Sequence, residues 1–257
     1  MEQGVHMPQL EFFDANITLG RPSIPKYRVV DDASVMKEEL AGYGITGGLV
    51  RHAFAMESGP AAGNDMLSKA LAKAPGFEPV WTVMPHWTGE FPAPDDLAKE
   101  MAAKKVRAAV TYPTTQNFPL RPSVSGPMLD VLERMRMPLF LPISEVSMGA
   151  VEDIMRAHPS LPVVVLEVGQ GIAREVYALF KAFPTLHFEI SVFMLHQGIE
   201  DVCARFGAER MIFGTRYPLY GPGCAISAVM YARIPDNAKE LIAGGNIKRL
   251  LREVTYQ

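Results

Sequence analysis

Apolar positions in this chain follow two alternating rhythms. Strand-length runs rich in β-forming residues occur at Leu10–Asn16, Thr46–Arg51, Pro79–Met84, Val106–Thr111, Pro138–Ile143, Pro162–Val168, Leu186–Ser191 and Arg210–Gly214. Between them, apolar residues recur at helical spacing over Ala33–Gly42, Asp65–Ala74, Asp95–Lys105, Gly126–Arg136, Ala150–His158, Ile172–Phe183 and Gly198–Phe206. Two further helical stretches, around Ala225–Arg233 and Asp236–Glu253, close the chain. Asn64 and Ser125 stand where N-caps are expected, and Gly44, Gly76 and Gly207 follow helix ends. Runs such as Val163–Leu166 are apolar on both faces, as parallel strands covered by helices must be.

Eight strands alternating with helices predict an α/β fold of the (β/α)8, TIM-barrel type. An open doubly wound sheet is the competing design. It usually carries a glycine-rich phosphate turn after its first strand, and Asp14-Ala15-Asn16-Ile17-Thr18-Leu19-Gly20 is not one. The 257 residues suit one barrel, a fold of typically about 250 residues, and no linker, repeat or low-complexity tract divides them. Residues 1–257 are therefore read as a single barrel domain.

Composition narrows the function classes. Hydrophobic residues make up 48% and charged residues 21%, the balance of a packed core with a solvated skin. Net charge is −3, and Lys and Arg are scattered, so no basic stripe for a nucleic-acid backbone is built. The longest apolar stretches are strand-sized, which excludes a membrane-spanning helix, and Met1–Leu10 has no apolar run of the signal-peptide kind. Two cysteines, Cys203 and Cys224, fit a reduced, cytoplasmic protein. The sequon Asn16-Ile17-Thr18 is then an accident of composition.

The ends of the chain carry the most specific signal. Gly198 to Pro218 reads as a helix ending in Arg-Phe-Gly, followed by a strand that runs into Phe213-Gly-Thr-Arg-Tyr-Pro218. Ile242-Ala-Gly-Gly-Asn-Ile-Lys-Arg-Leu-Leu251 follows, and the first strand opens on Phe12-Phe-Asp-Ala15. These segments resemble the amidohydrolase superfamily, whose last strand reads Phe-Gly-Ser-Asp-Tyr-Pro and whose closing helix carries Gly-Asn and then Arg-Leu-Leu. The resemblance implies an amidohydrolase-like barrel, with its site at the C-terminal ends of the strands.

The departures bear on chemistry. Where the family pattern has His-x-His after the first aspartate, this chain has Asn16 and Thr18. The fifth strand ends in Pro142 instead of histidine, the sixth in Glu167, and the eighth has Arg216 after Gly214-Thr215 where the family has aspartate. A tight divalent site needs imidazoles or carboxylates converging on one point, and this set supplies one carboxylate beside a guanidinium. No metal and no other cofactor is expected. A metal site assembled from Asp14, Glu167 and His52 is the minority alternative.

At the predicted mouth stand Arg51, His52, His86, Tyr112, Glu145, Gln170, His196 and Tyr217, with Asp14, Asn16, Glu189 and Ser191 on inward-facing strand positions. Glu167 is expected to share a face with Val163 and Val165 and to reach Arg216. The expected catalytic groups are Glu167, His52 and His86. Arg216 and Arg51 would grip an anion, with Asn16, Tyr112 and His196 completing the substrate site. His158 and His187 read as structural, His6 as part of the terminus, Trp81 and Trp87 as packing and pocket wall, and Cys203 as unreactive. The expected function is a metal-independent hydrolase or lyase acting on a small carboxylate-bearing molecule. Some superfamily relatives are similar in working without metal, on lactones. The alternative is a catalytically inactive barrel of the same fold that binds a small molecule. A small anionic substrate is the expected partner, with neither nucleic acid nor membrane, and assembly into a homo-oligomer stays open.

Overall fold

The computed structural model describes residues 9–24 and 26–256, so His6 lies outside the described residues. Eight strand positions follow one another around the barrel. They are β1 (Phe12–Leu19), β2 (Ile45–His52), a third position divided into β3 (Phe77–Pro79) and β4 (Trp81–Thr82), β5 (Ala109–Val110), β6 (Leu139–Pro142), β7 (Val163–Leu166), β8 (Leu186–Glu189) and β9 (Met211–Ile212). Every ladder between neighbours is parallel. The third position changes partner midway: the Val80 N–H donates to the Val50 carbonyl at 2.8 Å, and the Trp81 N–H to the Ala108 carbonyl at 3.0 Å. First and last positions also meet, through the Ala15 N–H on the Phe213 carbonyl at 3.0 Å and the Thr18 N–H on the Tyr217 carbonyl at 2.8 Å.

The connecting helices are α1 (Ala33–Ala41), α2 (Ala53–Glu57), α3 (Pro60–Leu71), α4 (Pro94–Ala103), α5 (Pro122–Arg134), α6 (Met148–Ala157), α7 (Ala173–Ala182) and α8 (Gly198–Phe206). After β9 come α9 (Gly223–Met230), α10 (Asp236–Glu240) and α11 (Asn246–Arg252). The short α2 was not expected. The single closing helix is instead α10 and α11 joined by one π turn, Leu241–Gly245. Two expected caps are corrected. Asn64 and Ser125 lie inside α3 and α5, which begin earlier on Pro60 and Pro122; proline's fixed φ and missing N–H suit a first turn. Asn64 instead clamps the third strand, donating to the Thr82 carbonyl and accepting from the Thr82 N–H, each at 2.8 Å.

Two apolar layers hold this frame. The inner one takes Phe13, Leu49, Val80, Val110, Phe140, Val164 and Ile212 from successive strands and is plugged by Ile247, Leu250 and Leu251 of α11. The outer one sets the alternate strand residues, such as Val50, Leu141, Val163, Val165 and Phe188, against the helices. Each fully buried large side chain, such as Phe140 or Phe188, contributes about 1.5–3 kcal/mol. Among the described residues, no helix is long and apolar enough to cross a membrane.

Candidate active site

Two local departures from strand alternation shape the site. In β1 the register against β2 slips between Asp14, opposite Gly48, and Ile17, opposite Val50. Three steps on one strand match two on the other, the signature of a β-bulge. Below the slip Phe13 and Ala15 belong to the inner layer; above it Ile17 and Leu19 belong to the outer one. The bulge thereby turns Asn16 inward. Gly48 permits the close approach, since a Cβ there would lie 2.4 Å from the Asp14 carbonyl oxygen.

The second departure follows β7. Val164 and Leu166 are inner residues and Val163 and Val165 outer ones, so simple alternation would point Glu167 at the helices. The expectation that Glu167 shares a face with Val163 and Val165 is therefore corrected. A left-handed backbone at Glu167, φ +64°, breaks the alternation and brings its carboxylate to the barrel mouth. There Glu167 Oε2 meets Arg216 Nη2 at 2.7 Å. Arg216 is left-handed too, at φ +60°. Such a conformation costs a side-chain-bearing residue about 1–2 kcal/mol, and strain of this kind collects at functional sites.

Beneath the mouth lies a buried polar network. Asn16 Nδ2 donates to Glu189 Oε2 at 2.8 Å, while Asn16 Oδ1 accepts from Arg51 Nη2. Glu189 also accepts from the Glu167 N–H at 3.2 Å, the Ser191 N–H at 2.5 Å and the Ser191 hydroxyl at 2.9 Å. Asp14 accepts from the N–H groups of Asn16 and Thr215 and from the Thr215 hydroxyl. Burial pushes the Asp14 carboxyl up to about 6 and the Glu189 carboxyl up to about 7, outweighing the donors that favour the ionised forms. Arg51 is held charged: burial opposes it, and Tyr112, Glu167 and Glu189 more than compensate. Asn16 is fully buried, out of reach of glycosylation.

Above this network a cavity of about 310 Å³ opens at the C-terminal ends of the strands. Of the residues expected at the site, Arg51, Tyr112, Glu167 and Arg216 line it, and Asn16 supports Arg51 from behind. The three histidines are not among its lining residues. His52 caps α2, its Nδ1 accepting the Phe54 N–H at 3.2 Å, and its ring packs so closely on Gly20 that a Cβ there would lie 3.0 Å from two ring atoms. His86 stacks on Trp87 with ring centroids 4.4 Å apart, and His196 is exposed on the loop before α8. Trp87 is itself exposed, its indole donating to the Val124 carbonyl; it is no pocket wall. The cavity adds residues that strand reading did not single out: Lys26, Arg28, Thr115 and Ser144. They sit on loops, where no periodicity marks them. The nearest signal was Glu145, which lines the same wall and accepts from the N–H and hydroxyl of Thr115 at 2.8 and 2.6 Å. The residues read as structural have partners. His158 Nδ1 lies 3.2 Å from Glu133, and His187 Nδ1 lies 3.1 Å from the Thr185 carbonyl, with burial pushing His187 down to about 4. Burial pushes the Cys203 thiol up to about 11, away from reactivity.

The fold has close counterparts of known structure. A 2,6-dihydroxybenzoate decarboxylase from Rhizobium superposes with a TM-score of 0.77 at 14% identity, covering 95% of this chain and 99% of that one. A protein assigned as a 2-pyrone-4,6-dicarboxylic acid hydrolase from Pseudomonas putida gives 0.70 at 15%, covering 96% and 99%. A dihydroxybenzoic acid decarboxylase from a Polaromonas species, solved with bound manganese and 2-nitroresorcinol, gives 0.70 at 14%, covering 95% and 97%. At such identities the likeness is one of fold. No curated protein matches the chain in sequence.

A divalent ion does not fit the residues present here. Asn16 is committed to Arg51 and Glu189, Glu167 is bound to Arg216, Pro142 offers no side-chain donor atom, and a guanidinium repels a cation. Among the described residues, no three His, Cys, Asp or Glu side chains gather as a metal site. The scaffold is nevertheless that of the relatives, and the family profile described as amidohydrolase matches residues 12–252. The chain belongs to the amidohydrolase family.

Proposed function

We propose that this protein is a hydrolase or lyase of the amidohydrolase type that acts, without a metal ion, on a small carboxylate-bearing molecule held in the cavity at the barrel mouth. The observation that carries this reading is the charge of the cavity wall. Lys26, Arg28, Arg51 and Arg216 line it against Glu145 and Glu167; with Arg28 paired to Glu39 at 2.5 Å, four cations meet three carboxylates in a chain of net charge −3. Such a local excess favours an anion. Names carried by structural neighbours, decarboxylases of dihydroxybenzoate and a hydrolase of a pyrone dicarboxylic acid, point to the same substrate class.

Within this reading Arg216 anchors the substrate carboxylate, since its contact with Glu167 engages one of its nitrogens and leaves further donors. Glu167 is the acid–base group: one of its oxygens meets Arg216, whereas both oxygens of Glu145 are taken by Thr115. One observation favours the rival reading of a binding barrel without chemistry: among the described residues, no histidine lines the cavity.

The test is thermal unfolding with succinate, phthalate and phosphate. At a concentration a hundredfold above the dissociation constant, binding adds about 2.7 kcal/mol, a rise in Tm of roughly 5–10 °C for a protein of this size. Arg216→Met should remove the rise once its own effect on stability is subtracted. An unmoved wild-type curve with all three anions would overturn the reading.

A further inference from the structure

Arg51 leaves β2 at its C-terminal end and is only 6% exposed, yet its donors are poorly matched. Nη2 donates to Asn16 Oδ1, Nη1 faces the Tyr112 hydroxyl at a long 3.4 Å, and Nε has no acceptor among the described residues. Guanidinium carries five N–H groups and no acceptor, so most of its donor capacity is unused. Tyr112, just beyond β5, is 2% exposed. Its hydroxyl takes the Arg51 contact as acceptor, and its own proton has no acceptor among the described residues. Burial holds the Tyr112 phenol above its usual range, so it keeps that proton at neutral pH. Both side chains line the cavity. Buried donors in native proteins are almost always matched by acceptors.

We infer that the Arg51 guanidinium and the Tyr112 hydroxyl form a two-donor subsite on the cavity floor that holds an oxygen acceptor of the substrate, a carboxylate or an ester-type carbonyl. The inference rests on the functional reading above and deepens it, because it says which part of the cavity reads the substrate's oxygens. Asn16 is the positioning residue. Its amide bridges Arg51 to Glu189, which fixes the guanidinium from behind, and Arg51 itself lines the cavity. An ammonium would meet the like charge of the guanidinium and find as acceptor in this subsite the Tyr112 hydroxyl oxygen, which already faces Arg51. The subsite therefore discriminates by chemistry as well as by charge. Lys26 and Arg28, the latter paired with Glu39, stand nearer solvent and add attraction, whereas Arg216 provides the separate carboxylate anchor.

Calorimetric titration of the full chain with succinate and with phthalate tests this. Tyr112→Phe keeps the ring and loses one hydrogen bond to a charged oxygen, so the dissociation constant should rise about tenfold. Arg51→Lys keeps the charge but loses the planar fork and should weaken binding at least as much. Should Arg51→Lys fold poorly, Tyr112→Phe, whose unliganded Tm should stay within a few degrees of wild type, decides alone. If Tyr112→Phe binds either anion as tightly as the wild type, the subsite is wrong while the anion-binding cavity stands. If the wild type itself binds neither anion, the subsite and the functional reading fall together.

Discussion

Glu167 sits where local geometry and electrostatics oppose each other. Its left-handed backbone is unfavourable for a residue with a Cβ, and the ion pair with Arg216 is what the distortion secures. The pair is only partly shielded, since the Arg216 side chain keeps 30% of its exposure against 10% for Glu167. Solvent can therefore take over much of the guanidinium's charge if its partner is removed. Glu167→Ala should cost about 1–2 kcal/mol, below the 3–5 kcal/mol typical of a fully buried pair. Glu167→Gly should cost about 1 kcal/mol less than Ala, because glycine accepts positive φ freely. Urea unfolding of the two variants measures both quantities, and a Gly variant no better than Ala would show that the backbone there is unstrained. The identities of Arg51, Tyr112, Glu167 and Arg216 as mouth residues were legible from their places at strand ends. Their directions were not: Glu167 reaches the cavity by a φ reversal and Asn16 by a bulge, and neither leaves a mark in hydrophobic periodicity.

At the scale of elements, apolar runs located all eight strand positions because a covered parallel strand must be apolar on both faces. Boundaries drifted where another bond competed. β1 runs on to Leu19 because the Thr18 N–H bonds across to Tyr217, and β5 starts late because the Val106 N–H is used in closing α4 on Met101. The short α2 was invisible for a related reason. Five residues carry no helical period, and what starts the helix is the His52 side chain. A histidine beside an arginine at a strand end reads as chemistry; its ring nitrogen instead meets an otherwise orphaned helix N–H. His52→Ala should lose this cap at a cost of about 1 kcal/mol plus lost packing on Gly20, and His52→Asn should recover the cap portion. Succinate affinity should stay within about twofold of wild type in both variants, a change worth only some 0.4 kcal/mol. A large loss of affinity in His52→Asn at preserved stability would return His52 to the site.

Over the whole molecule, buried titratable groups set how stability responds to pH, and they pull in opposite directions. Asp14 and Glu189, pushed up to about 6 and about 7 by burial, bind protons more tightly folded than unfolded. Their contribution is complete below the unfolded carboxyl range and is lost as pH rises through 6 and 7. From pH 5 to 7 the two together should remove about 3 kcal/mol. His187, on the inner face at the other end of the barrel and pushed down to about 4 by burial, does the reverse. The unfolded chain protonates it first, so it favours the folded state increasingly from pH 5 to 7, by about 2 kcal/mol. His52, lowered by burial, acts in the same sense as His187. Asp32, Asp65 and Glu253 are held low and are ionised in both states above about pH 5, so they drop out of this window. The wild type should therefore lose only about 1 kcal/mol between pH 5 and 7, a slope that by itself says little. His187→Leu separates the contributions. It removes the opposing group, whatever it costs in absolute stability, and the decline from pH 5 to 7 should steepen to about 3 kcal/mol. Urea unfolding of both proteins at pH 5, 6 and 7 measures the two slopes. Stability of His187→Leu that is flat or rises with pH would mean that Asp14 and Glu189 are ionised throughout, and the network behind Arg51 would then carry two buried negative charges held by hydrogen bonds alone.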